Sequence, residues 1–178
     1  MQYDSPHSYS RFSKIIHWLS ALVILTLFGA GLWMVELSYY DAGYQLIPHY
    51  HKSVGIMLAG LIIIRVAWRI RNTKPLALTS HSTLEKTLSG IAQILLYFLI
   101  FSVVIAGYLI STEDGRGIDV FNWFTIPSLG KLFNNQADIA GNLHRWLAYT
   151  LIALASLHGI AALKHHFYDK DETLKRML

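Results

Sequence analysis

Nine histidines and not one cysteine define the chemistry open to this sequence. Without thiols, disulfides, iron–sulfur clusters and thiolate ligation of a metal are excluded, and imidazole remains as the metal ligand. The most informative spacing lies between His144 and His158, which are 14 positions apart. On a helix that puts the two rings about 21 Å apart along the axis. It also falls roughly 40° short of four full turns, so both rings point to nearly the same face. They are too distant to share one metal ion but well placed to serve two centres stacked along one helix.

Composition sets the elements that must carry these rings. The 178 residues are 53% hydrophobic and only 15% charged, against about 25% charged in a soluble domain. Lipid is the solvent that suits such a chain. Four stretches, residues 15–35, 53–68, 87–112 and 146–163, read as membrane spans, and Arg65 is their sole Asp, Glu, Lys or Arg. The sequence therefore predicts an all-α membrane protein, a single domain over 1–178 built as a four-transmembrane-helix bundle. The first stretch is too long for the apolar part of a signal peptide and is expected to stay as a span. The net charge of +4 does not indicate nucleic acid, because the basic residues bracket the apolar runs instead of forming one patch.

Charge also sets the orientation. Eleven of the 15 Lys and Arg lie before the first span, after the fourth, or from Arg65 through the connection to the third; Lys52, Arg116, Lys131 and Arg145 lie on the other side. The positive-inside rule then places both termini in the cytoplasm. Depth now pairs the histidines: His17 with His158 toward the cytoplasm, and His51 with His144 toward the outside. An ionisable residue within a membrane is expensive and usually functional. Each pair can supply both axial nitrogens of one six-coordinate haem inside a helix bundle. A zinc ion, the rival metal, needs three or four ligands at one depth, and each depth offers two. Room for a porphyrin would come from Gly29, Gly31, Gly55, Gly60, Gly107 and Gly159, in or beside the spans. His49 follows Pro48 and is expected in a loop; His7 and His81 sit in polar segments and are expected to be solvated.

Two further features bear on these sites. Arg65 is 14 positions after His51, so it shares that face at the depth of the inner histidines. A haem propionate is its expected partner, with snorkelling to the headgroups as the alternative; Arg11 and Lys14 are read as snorkelling. In the long outer connection, Asp114-Gly115-Arg116-Gly117 reads as a turn. The aromatic run 120–126, with Phe121, Trp123 and Phe124, is expected at the outer interface, ended by Pro127.

These residues resemble the bacterial di-haem cytochrome b561 family over essentially the whole chain. The resemblance rests on Arg11-Phe12-Ser13-Lys14-Ile15-Ile16-His17-Trp18 and His51-Lys52-Ser53-Val54-Gly55. It rests also on the His144 and His158 spacing and on His165-His166-Phe167-Tyr168-Asp169-Lys170-Asp171-Glu172-Thr173-Leu174. It implies a bacterial inner-membrane protein with two b haems, ligated by His17 with His158 and by His51 with His144, the pairing that depth already gives. One branch of the family looks like a superoxide:ubiquinone oxidoreductase, in which superoxide delivers an electron on the periplasmic side and ubiquinone accepts it. The resemblance also implies a quinone site near the cytoplasmic haem with His165 taking part. Seven positions after His158, His165 is about two turns along on nearly the same face. An imidazole there could give a proton to a reduced quinone, or simply anchor the helix end.

Two features depart from that branch. The connection 69–86 has Lys74-Pro75 but is not proline-rich, so the branch's quinone-contacting lysine has no assigned counterpart. On the outer side, Lys52, Arg116, Lys131 and Arg145 are balanced by Glu36, Asp41, Glu113, Asp114, Asp119 and Asp138. Fast capture of superoxide would favour a positive funnel instead. The expected function is a di-haem conduit that exchanges electrons with the quinone pool and with a periplasmic donor or acceptor, either superoxide or a dedicated partner protein. A transporter is disfavoured, because no span pairs an internal Asp or Glu with a broken helix.

Overall fold

The computed structural model describes residues 3–5, 8–73, 75–78 and 80–178; His7 and Lys74 lie outside them. The chain forms helices α1 (Arg11–Met34), α2 (Leu46–Arg71) and α3 (Thr83–Thr112), strands β1 (Ile118–Val120) and β2 (Phe124–Ile126), and helix α4 (Gln136–Phe167). A short 3-10 turn, Lys175–Met177, follows. All four helices are long and apolar enough to cross a membrane. Each starts before the apolar stretch it carries, and α2 and α4 also run past its end, because a helix continues into the headgroup layer, where charged side chains are solvated.

The helix starts are built from local polar chemistry. Ser10 caps α1 by accepting from the Ser13 N–H. The Asp4 carboxylate takes the Ser10 N–H and the Ser13 hydroxyl, both at 2.7 Å. A reciprocal capping box between Ser82 and Glu85 starts α3. Helix α2 begins at Leu46, ahead of Pro48. Proline is tolerated there because the first turn of a helix has no use for its missing N–H. His49 is therefore helical, which corrects the expectation that Pro48 leaves it in a loop.

Leu58 and Ile62 of α2, Leu99 and Ile100 of α3 and Leu151 of α4 form the buried core, with Val23, Ile24 and Leu27 of α1 packed on it. Outward-facing side chains such as Leu22, Leu25, Ile63, Ile94, Phe98, Leu157 and Ile160 are exposed. In lipid they meet apolar tails, so close packing rather than burial from water holds the helices together. Backbones approach closely between α1 and α2 and between α3 and α4, but only sparsely between α4 and either α1 or α2. A seam thus runs between α4 and the first two helices, crossed by side chains; Phe28 meets Tyr149 edge-on with ring centroids 5.6 Å apart.

The two chain ends gather at one end of the bundle. The Trp18 indole N–H donates to the Met177 carbonyl at 2.7 Å, and Arg176 donates to the Leu76 carbonyl at 2.6 Å. At the opposite end, the aromatic run expected at the interface forms an antiparallel hairpin pairing Ile118 with Ile126 and Val120 with Phe124. Its turn holds Phe121 and Asn122 at φ 49° and 59°, a conformation that asparagine tolerates and phenylalanine rarely adopts. A Cβ at Gly117 would stand 2.5 Å from the Ile126 carbonyl oxygen, so only glycine fits. Ser53 of α2 ties the hairpin down: its hydroxyl accepts from the Phe121 N–H at 3.1 Å and lies 3.2 Å from the Asp119 carbonyl. Buried Gln136 accepts from the Leu132 N–H at 2.7 Å and donates to the Leu109 carbonyl at 2.9 Å, fixing the start of α4 against α3.

Candidate functional site

His51 of α2 and His144 of α4 face one another across the seam at the hairpin end. Their ring centroids are 6.2 Å apart. Two metal–imidazole bonds of about 2 Å in line, each with roughly 1 Å from nitrogen to ring centre, require about 6 Å. The pair therefore fits the axial ligation of one iron. The His144 Nδ1 lies 2.8 Å from the Val103 carbonyl. A carbonyl can only accept, so Nδ1 carries the proton and Nε2 keeps its lone pair for a metal, the orienting contact that ligating histidines usually have. The His51 Nδ1 is buried and unpartnered, which is costly unless the ring has another use.

Two glycines make room for these rings. A Cβ at Gly107 of α3 would lie 3.1 Å from His144 Cε1 and 3.2 Å from its Nδ1. One at Gly31 of α1 would lie 3.6 Å from His51 Cε1. They serve the imidazoles directly. Gly29, Gly55, Gly60 and Gly159 would meet nothing within 4 Å, so their absence of a side chain spares no neighbouring atom.

At the terminal end, His17 of α1, Arg65 of α2 and His158 of α4 come within electrostatic reach of one another. The Arg65 Nη2 lies 2.7 Å from the His17 Nδ1. A guanidinium only donates, so this Nδ1 accepts and the ring proton sits on Nε2. That tautomer does not ligate through Nε2. Loading a metal on that nitrogen requires Arg65 to turn away, which a propionate would allow. Arg65 also lies over the Tyr97 ring, 5.4 Å from its centroid.

His165, near the end of α4, stands beside three acidic and imidazole side chains. Its Nδ1 is 2.7 Å from an Asp169 carboxylate oxygen and 3.3 Å from one of Asp171. Neither contact has the alignment of a hydrogen bond. Its ring packs on His81 with centroids 4.5 Å apart. His81 is not solvated, contrary to the expectation from its polar segment. Its side chain is 16% exposed and its Nε2 lies 2.9 Å from Asp171. Burial pushes the Asp171 carboxyl up, but hydrogen bonds from Thr173 and His81 outweigh it and bring its pKa down to about 2. The signal for His81 was present in Ser82 and Glu85, whose capping spacing puts His81 just before a helix; nothing in the sequence pairs it with Asp171.

The family model for prokaryotic cytochrome b561 matches residues 8–178. Cytochrome b561 homolog 2 of Escherichia coli (strain K12) is 47% identical over 175 residues, covering 98% of this chain and 93% of that protein. A protein of Yersinia pestis named probable superoxide oxidase CybB is 27% identical over 172 residues, covering 96% of this chain and 95% of its own length. Cytochrome b561 homolog 1 of E. coli (strain K12) is 25% identical over 175 residues, covering 95% and 97%. With four candidate membrane-spanning helices and a match over nearly its whole length, the chain belongs to the prokaryotic cytochrome b561 family, multi-pass inner-membrane proteins that transfer electrons through haem b.

Proposed function

We propose that the chain is a di-haem b conduit moving electrons between the periplasmic side and the quinone pool, with both termini in the cytoplasm. The observation that carries this reading is the His51–His144 pair, whose 6.2 Å ring separation suits two axial bonds to one iron. When bound, each haem supplies a one-electron couple between ferric and ferrous iron. The remaining work falls to the chain. His51 and His144 would hold the outer haem, with the Val103 carbonyl fixing the His144 tautomer. His17 and His158 would hold the inner one, with Arg65 turning to a propionate. His165 is the candidate proton donor to ubiquinone at the terminal end. Apolar side chains around the seam exclude water and keep the local dielectric low, so charges there act strongly on one another.

The test is substitution at the outer pair. His51→Ala and His144→Ala should each abolish the same one of two haem signals in a reduced-minus-oxidised spectrum and spare the other. A purified chain that carries no haem refutes the reading.

The periplasmic reactant is either superoxide or a dedicated partner protein, and surface chemistry favours the partner. Two outer cations are already neutralised, Arg116 by Asp114 at 2.6 Å and Lys131 by Glu113 at 3.3 Å, which weakens steering of a small anion. The superoxide name belongs to a relative only 27% identical. A superoxide pulse that reduces the haems faster than superoxide dismutates would reverse the preference; co-purification of a periplasmic protein would uphold it.

A further inference from the structure

Two stretches distant in sequence bring a second, haem-independent set of metal-ligating atoms together at the terminal end. His81 comes from the stretch before α3, His165 from the last turn of α4, and Asp171 from the segment after it. One ligand atom from each falls within 4.8 Å of the other two. The Asp171 Oδ2 is 2.9 Å from the His81 Nε2 and 3.3 Å from the His165 Nδ1. Ligands about 2 Å from a tetrahedral metal stand roughly 3.3 Å from one another, so these separations are those of neighbouring ligands on one ion. The side chains are 16%, 14% and 8% exposed for His81, His165 and Asp171. The site is therefore sheltered without being sealed.

The atoms are also aimed. The Thr173 N–H donates to the Asp171 Oδ1 at 2.8 Å. Oδ2 is the oxygen facing both rings, and its hydrogen bond with the His81 Nε2 at 2.9 Å is the contact a metal would replace. The Asp171 N–H donates to the His165 carbonyl at 3.1 Å, which fixes the chain between the two ligands. Outer contacts of this kind orient metal ligands. The His165 Nδ1 is buried and makes no aligned hydrogen bond, the cost a metal bond removes.

A neighbouring cluster shows what a satisfied version looks like. Glu85, His165 and Asp169 also converge, but the Lys164 ammonium already stands 2.6 Å from Asp169 and 3.7 Å from Glu85. Among the described residues, the salt bridges of Asp171 are to His81 and His165 alone.

We infer that His81, His165 and Asp171 form a site for a borderline divalent cation of the zinc class, pinning the C-terminal segment to α4 and to the start of α3. Two neutral imidazoles and one carboxylate match the donor preference of such ions and leave a fourth position for water. The inference does not rest on the haem or quinone assignments.

The test uses the full, tag-free, haem-loaded chain in detergent, stripped with a chelator and titrated with Zn²⁺ alone against a competing chelator. One saturable ion per chain is expected. His81→Ala and Asp171→Asn should each weaken it by at least about a hundredfold, the upper end of what losing only an orienting contact costs, with the haem spectrum unchanged. Equal uptake by wild type and both variants, or no saturable uptake, overturns the site. If a variant fails to fold, zinc-edge X-ray absorption on the wild type decides: a shell with two imidazoles and oxygen supports the site, and a shell without imidazole overturns it. A chain that lacks haem would instead sink the electron-transfer reading.

Discussion

Gly107 offers a sharp test of the outer pair because its expected sign opposes the usual one. Replacing a helix-interior glycine with alanine ordinarily stabilises by about 1 kcal/mol. Here the new Cβ would stand 3.1 Å from His144 Cε1 and 3.2 Å from Nδ1, inside the about 3.5–4.0 Å of a relaxed contact. The ring would have to retreat from α3 by roughly half an ångström. Its orienting acceptor, Val103, lies one turn earlier on that same helix, 2.8 Å from Nδ1. Retreat therefore stretches the hydrogen bond past its useful range, at a cost of about 1 kcal/mol. Losing an orienting contact of this kind lowers metal affinity about ten- to a hundredfold. Gly107→Ala should weaken haem binding at the His51–His144 pair by that factor, and the bulkier Gly107→Val should empty it. Gly60→Ala is the control, since a Cβ there meets nothing within 4 Å. Pyridine haemochrome counting, with the reduced spectrum, should give two haems per chain for Gly60→Ala and one for Gly107→Val. A Gly107→Val protein with two haems and an unshifted spectrum refutes the assignment of this notch to a ligand imidazole.

Other perturbations separate the remaining roles. Arg65→Met removes a cation from the inner site; at about 10 Å and an effective dielectric near 20 the charge is worth about 1.7 kcal/mol, or roughly 70 mV for one electron. Loss of positive charge favours ferric iron, so one midpoint in a redox titration should fall by several tens of millivolts, and two unmoved midpoints would contradict the placement. Ser53→Ala breaks the contacts to Asp119 and Phe121, about 1 kcal/mol each. Amide exchange at Phe121 should then accelerate, and unchanged protection would mean that the hairpin holds without this tether. His165→Gln should keep both haems yet slow quinone-linked oxidation of the reduced protein by about a hundredfold; full activity would leave His165 as a helix-end anchor.

What the sequence discloses follows from which forces act locally. Charge exclusion from lipid is local, so the four helices announce themselves, with Arg65 as the single ionised residue within the stretches. Helical spacing is local as well, so the common face of His144 and His158 is arithmetic. The hairpin is not, because its turn uses Phe121 and Asn122 in place of a glycine-bearing pair, and its need for Gly117 appears only when β2 lies alongside. The Val103 carbonyl is backbone, carrying no residue-type signal. The contact of His81 with Asp171 spans 90 positions, and a polar loop gives no hint of it. Pro48 misleads in the opposite direction, because a helix's first turn accepts the residue that its interior rejects.

The two candidate haem sites differ in how far the fold has prepared them. At the hairpin end, Gly107 makes the notch, Val103 sets the tautomer, Gln136 fixes the start of α4, and Ser53 locks the hairpin to α2 two residues from His51. Those supports come from α2, α3, α4 and the hairpin, and the ring separation of 6.2 Å already suits two axial bonds. At the terminal end, Arg65 occupies His17, and acidic and imidazole side chains gather about two turns further along α4, around His165. That asymmetry suits a conduit whose outer step passes only an electron and whose inner step must deliver a proton with it. A rigid apolar pair keeps reorganisation small where charge alone moves. Proton exchange requires polar groups within reach, and the chain places His165 and Asp169 at that end.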